Sequence, residues 1–309
     1  MHAGKLPIRA SILRPARDGA IVACLLFAAA HLLGLIHSGV DAHTYWITDS
    51  ANPYAASTPG TADAYFYSPA FAQLTAPIHL LSWEWFITLW TVLLTGTLAW
   101  QAGLWLGPAL LLVPVFAELT VGNVHFLLAA AIVAGFRWPW TWSFVLLTKV
   151  TPGVGLLWFA IRREWRSLAT ALGATAVIAG ISFLFAPSLW WQWVSLLMAA
   201  ARAPDFVFIV PIPLWIRLIG AVVIVSWGAL RDHRWTVILA SCVALPVLWI
   251  NGLAMLVGLI PLLSREVGPS WAAAWLSGGR AVRGEPTAAT GTASGTATGG
   301  TAAASTPAT

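Results

Sequence analysis

Asp41 follows directly on the first long apolar run, in Gly39-Val40-Asp41-Ala42-His43. A carboxylate at the edge of a membrane can take the proton of a hydroxyl, the work of a general base. A solvated helix end is the plainer alternative for the same residue. Lys149 stands in the middle of a second apolar stretch, just before Thr151-Pro152-Gly153. An ammonium among apolar side chains is costly unless paired, which makes it a functional candidate, with snorkelling to an interface as the other reading. Arg202 and Arg217 supply two further cations. Arginine grips phosphate in bidentate fashion and lysine acts as a point charge, so the three together suit a phosphate carried on a lipid. Glu118 is a partner for either Lys149 or His125. Tyr45, Trp46, Tyr54, Tyr65 and Tyr67 suit sugar or prenyl contacts and equally suit packing. The chain has no phosphate-binding glycine loop, no Ser/His/Asp order and no zinc-ligand spacing. Cys24 and Cys242 both lie in apolar runs and read as small buried side chains.

The elements that must position these residues are membrane spans. Of 309 residues, 59% are hydrophobic and 9% charged, against about 25% charged in soluble domains. Apolar runs of about 20 residues recur, the length of a helix that crosses the hydrocarbon core. The fold class expected is an all-α polytopic membrane protein. The net charge of +5 sits in short clusters between apolar runs, the pattern of cytoplasmic loops and not of a nucleic-acid surface.

Residues 1–18 carry Lys5, Arg9, Arg14 and Arg17 and are expected in the cytoplasm as a basic N-terminus. An uncleaved first span is expected over residues 19–37. No Lys or Arg interrupts residues 18–136, so the acidic, aromatic segment from 38 to 82 is placed on the outer face. Within it, residues 70–81 read as a short helix bent at Pro77. Spans are expected at 83–101, 104–121 and 124–136, with Gly122-Asn123 turning outward.

Residues 138–161 decide the topology. As one span they would put Arg162, Arg163, Arg166, Arg231 and Arg234 outside, against the charge rule. As two short helices meeting at residues 149–153 they keep every basic cluster inside, so a re-entrant broken pair is expected there. Irregular backbone at that depth must line a cavity or be covered by protein. A span at 168–186, an outer loop at 187–210 and a returning span at 211–227 follow. Residues 236–263 form a hairpin bent near Pro246 and Asn251 or one long bent helix. The domain expected spans 19–270, and residues 271–309, rich in Thr, Ala, Gly and Ser, read as a disordered tail.

The order Gly39-x-Asp41, Asn52-Pro53-Tyr54, Tyr65-x-Tyr67-x-Pro69, Gly122-Asn123 and Lys149-x-x-Pro152 ahead of Arg162-Arg163 resembles the family 87 glycosyltransferases of the C-type membrane fold. These include polyprenyl-phosphate-mannose-dependent α-mannosyltransferases. The family's usual Gly-Gln-x-Asn is replaced here by Gly122-Asn123-Val124-His125. The resemblance implies a C-type glycosyltransferase-like helical bundle with an outer acidic loop. It implies transfer of a sugar, mannose above all, from a polyprenyl-phosphate donor to a hydroxyl of a lipid or glycan acceptor. Asp41 would be the catalytic base, Lys149, Arg217 and Arg202 would bind the donor phosphate, and His43, Tyr54, Tyr67, Asn123 and His125 would bind substrate. No cofactor is expected, the metal requirement is open, and the partners are the two substrates and membrane lipids, not nucleic acid. The site would face outward from the plasma membrane. A flippase for a lipid-linked sugar, or an inactive partner subunit, would carry the same cations without needing a base.

Overall fold

The computed structural model describes residues 6–55, 57–58, 64–202 and 212–267. All regular structure among them is helical. Helix α1 covers Leu6–Leu32 and takes in Arg9, Arg14 and Arg17. It ends five residues short of the expected span. Gly34 takes the left-handed conformation at φ 66°, and Leu35 N donates back to Ala30 O at 2.9 Å, the closing bond of a Schellman motif. Two short helices follow, α2 (Val40–Ile47) and α3 (Pro69–Thr75). The second continues into a 3-10 turn, Ala76–Leu80, at Pro77, where the bend was expected.

Helix α4 (Trp83–Ala102) runs through a 3-10 turn into α5 (Leu106–Leu110), and Trp83–Leu110 together form one membrane-length helix of 28 residues. The expected span 104–121 is therefore divided. Its first part belongs to the preceding span, and α6 (Val113–Val121) starts afresh at Pro114, which cannot donate to a continuing helix. Helix α7 (His125–Gly135) follows after a bend of 110°. Then come α8 (Trp142–Thr148), a 3-10 segment Thr151–Leu156, and α9 (Leu157–Ile161). Among the described residues, helices α10 (Trp165–Phe185) and α12 (Leu214–Arg231) are the other two both long and apolar enough to cross a membrane. Between them α11 (Pro187–Arg202) is helical where an outer loop was expected. Proline at the first position suits a helix start, and neither Gly nor Pro interrupts residues 188–202. Helix α13 (Trp235–Val243), a 3-10 segment Ile250–Gly258 and α14 (Leu259–Val267) resolve the last alternative as a hairpin.

The chain is thus an all-α membrane protein in which long spans carry three hairpins of short helices. Helix α7 has 11 residues, about 16 Å at 1.5 Å per residue, roughly half the hydrocarbon thickness. Its start and end differ in character. At its end, Arg234 lies 5.3 Å over the Phe136 ring, and Arg162 pairs with Asp232 at 3.0 Å and donates to Ala229 O. The basic residues near 137, 162 and 234 thus gather where α7, α9, α12 and α13 meet. The opposite tips of the hairpins carry the polar residues singled out above.

Those tips break for local reasons. Gly122 is left-handed at φ 72°, and a Cβ there would lie 2.8 Å from the Ala42 Cβ. Lys149 is extended at φ −140° because Pro152, in a continuous helix, would clash with the Thr148 carbonyl. Helix α8 folds back on α9, with Trp142 edge-on to Phe159 at 6.4 Å. Helices α2 and α3 cover the tips. Gly39 N donates to Thr120 O, Trp90 Nε1 to Gly122 O and Ser68 Oγ to Leu147 O, each closing an irregular stretch of backbone. Asp63 and Asp205 lie outside the described residues.

The separation of basic end from polar end makes a topological prediction. An impermeant thiol reagent applied to intact cells should modify Asp49→Cys and leave Arg163→Cys unmodified. Equal modification of both would contradict the arrangement of the hairpins across the membrane.

Candidate functional site

Asp41 occupies the first turn of α2 and is half-buried. Its Oδ2 accepts from Asn123 Nδ2 at 2.7 Å, across 82 positions of sequence. The Asn123 amide cannot turn over without loss, because its Oδ1 accepts from the Val124 backbone N–H at 2.7 Å. The same Oδ1 accepts from Lys149 Nζ at 3.4 Å and has the Tyr67 hydroxyl at 3.5 Å. One amide therefore stands between a carboxylate and an ammonium, bonded to both.

Lys149 Nζ lies 2.9 Å from His125 Nε2. On its other side the His125 ring meets Glu118 Oε2 through Nδ1 at 2.9 Å. Glu118 Oε1 accepts the His125 backbone N–H at 2.7 Å, and Asn251 Nδ2 donates to Oε2 at 3.0 Å. Glu118 stands in the last turn of α6 and caps the start of α7, where the helix dipole favours a carboxylate. Asn251 brings in the third hairpin. The network thus draws one residue or more from each of three hairpin tips and one from α2.

Burial holds the Asp41 carboxyl above the ordinary carboxylate range, while the Asn123 hydrogen bond and the Lys149 charge pull it back down. Burial raises the phenols of Tyr45 and Tyr67 well above their usual range, so both stay protonated. Their hydroxyls share a hydrogen bond of 2.7 Å.

The expected site residues fall into layers. Asp41, Asn123, His125 and Lys149 are brought together, with Tyr67 at their side. Tyr54 sits one layer out and donates to Tyr67 O at 2.9 Å. His43 packs on the rings of Trp83 and Trp46, at 5.2 and 5.9 Å. Arg217 is buried and donates to the carbonyls of Ile212, Val243, Leu245 and Pro246, tying α12 to the turn that leads to Asn251. Arg202 closes α11, and its side chain lies outside the described residues. Asn251 stands out in the sequence only as a bend of the last hairpin, and the partner of Glu118 stays open there. The available signal was a polar side chain inside an apolar run, which in a membrane asks for a partner.

Membrane-length helices, broken helix tips and a buried polar network around an acid and a cation define an integral membrane protein with an enclosed polar centre. The family model of glycosyltransferase family 87 matches residues 65–276, more than half of the chain, and the chain belongs to that family. It is a membrane glycosyltransferase. The match takes in Asn123, His125 and Lys149 and begins after Asp41. No curated protein and no solved structure matches the chain.

The opposed influences on Asp41 give a signed prediction. In a carbon-13 NMR titration its carboxyl should ionise above 3.8, the ordinary value. Lys149→Met removes an influence that lowers the pKa, so the midpoint should move further up. An unchanged midpoint in that variant would contradict the coupling.

Proposed function

We propose that the enzyme transfers a sugar from a polyprenyl-phosphate donor to a hydroxyl of a lipid-linked or glycan acceptor, at the outer face of the plasma membrane. The observation that carries this reading is the unpaired placement of Asp41 and Lys149 on either side of Asn123. A base and a cation that neutralised each other would serve neither partner of a transfer reaction.

The step assigns one role to each. Asp41 takes the proton of the acceptor hydroxyl as its oxygen bonds to the anomeric carbon. The bond from that carbon to the phosphate oxygen breaks, and the electron pair leaves with the polyprenyl phosphate. The Lys149 ammonium offsets the charge that develops there. Phosphate is already a good leaving group, so no acid partner is needed, and attack from the opposite face inverts the anomeric centre. The step leaves metal ions and cofactors out. Mannose is the sugar implied by the family resemblance, and Tyr67 and Asn123 are the side chains nearest to hold it. Tyr54 and His43 act through the positions of their neighbours. Arg217, whose described contacts are backbone carbonyls, supports the hairpin, and Lys149 takes the phosphate. The basic residues at the far ends of α7, α9 and α12 support an outward site, since such clusters remain in the cytoplasm.

Membranes containing the protein and radiolabelled polyprenyl-phosphate-mannose test this reading. Asp41→Asn keeps the shape and cannot take the proton. It should fold, bind the donor and lose about 10²–10⁴-fold in transfer, the usual contribution of a general base. Transfer within a few-fold of the parent would remove Asp41 as the base. A parent protein that moves the lipid-linked sugar across the membrane without transferring it would make the protein a transporter instead.

A further inference from the structure

Glu118 is a fully buried carboxylate; the His125 backbone N–H and Asn251 Nδ2 donate to it, and its third described contact is with His125 Nδ1. An ionised carboxylate only accepts, so the hydrogen between Oε2 and Nδ1 belongs to the imidazole. A neutral ring protonated at Nδ1 has a bare Nε2, which is an acceptor. Lys149 Nζ stands 2.9 Å from that Nε2, and an ammonium only donates. Lys149, His125 and Glu118 therefore form a chain of hydrogen bonds that runs in one direction. A second ammonium hydrogen is directed at Asn123 Oδ1. Those are the two acceptors of Lys149 among the described residues, which leaves the third hydrogen to a ligand.

We propose that Glu118 and Asn251 are positioning residues of this enzyme. They fix His125 in its Nδ1-protonated form and, through it, aim the Lys149 ammonium at the donor phosphate. The last clause rests on the function proposed above, and the tautomer does not. Packing alone gives no reason for the arrangement, since apolar side chains would fill the same space without a desolvation cost.

Glu118→Gln discriminates. One side of the Gln amide accepts and the other donates, whereas both sides of Glu118 face donors. With the Gln oxygen on the His125 backbone N–H, its NH₂ faces Nδ1 and favours an imidazole protonated at Nε2. That ring opposes the ammonium with a hydrogen and displaces it.

Nitrogen-15 NMR of histidine-labelled protein, with His125→Gln to assign the signal, reads the ring directly. The parent should show a neutral ring protonated at Nδ1, and Glu118→Gln should shift the proton to Nε2. A parent ring protonated at Nε2, or at both nitrogens, overturns the proposal whatever the substrate and whether or not the variant folds. Binding of a polyprenyl phosphate in detergent micelles supplies the second arm. Glu118→Gln should weaken it about tenfold in the parent, and less than about twofold in a Lys149→Ala background, because residues of one network are not additive. Equal weakening in both backgrounds makes Glu118 merely structural and overturns the proposal. A parent with the Nδ1-protonated ring that binds no polyprenyl phosphate supports the hydrogen-bond chain and contradicts the donor reading.

Discussion

The Asn123 amide, held between Asp41 and Lys149, is the contact on which the rest of the site depends. Opposite charges about 4 Å apart attract by about 4 kcal/mol at an effective dielectric of 20. Left alone in a partly buried pocket, the carboxylate and ammonium would close on each other. Asn123 prevents that by offering each the complement it wants, an N–H to the acid and a carbonyl to the cation. Its orientation is set from below, by the Val124 backbone N–H. Glutamine presents the same amide donor and acceptor one carbon further from the backbone.

That amide needs a tip that ends a helix inside the bundle, and such tips are expensive. Each one exposes backbone groups that lipid cannot satisfy. The chain meets the cost with protein. Gly39 donates to Thr120 O, Trp90 to Gly122 O and Ser68 to Leu147 O, while Arg217 covers the carbonyls after α13. Close approach does the rest, because Gly122 lets Ala42 of α2 sit directly on the turn. The acidic segment after the first helix is therefore more than a ligand loop. It caps the hairpins, and Asp41 reaches the network as part of that cap.

Much of this was legible before any coordinates. Lys149 followed by Pro152 announces a broken helix, and the arithmetic of basic clusters chooses the hairpin over a single span. Asp41 and Asn123 were visible as polar residues where polarity is costly, but not as partners, because 82 positions separate them. Arg217 shows the limit most clearly. Its type suits a phosphate, and the carbonyls of Val243, Leu245 and Pro246 that it also meets depend on the course of the turn after α13, which the sequence does not spell out. The division of the expected span at 104–121 had its cause in plain view, in Pro114. The helical α11 had its signal too, in Pro187 and the unbroken residues after it, but tryptophans beside a membrane suit a loop as well as a helix.

The central claim is that donor phosphate and acceptor hydroxyl meet on opposite sides of Asn123. A cryo-electron microscopy structure of the protein with a bound polyprenyl phosphate tests it most directly. The account predicts the phosphate within hydrogen-bond reach of Lys149 Nζ, with Asp41 still bonded to Asn123 and open on its other oxygen. A phosphate at the Arg162 and Arg234 end of the bundle, or an Asp41–Lys149 ion pair that closes the pocket, would contradict it.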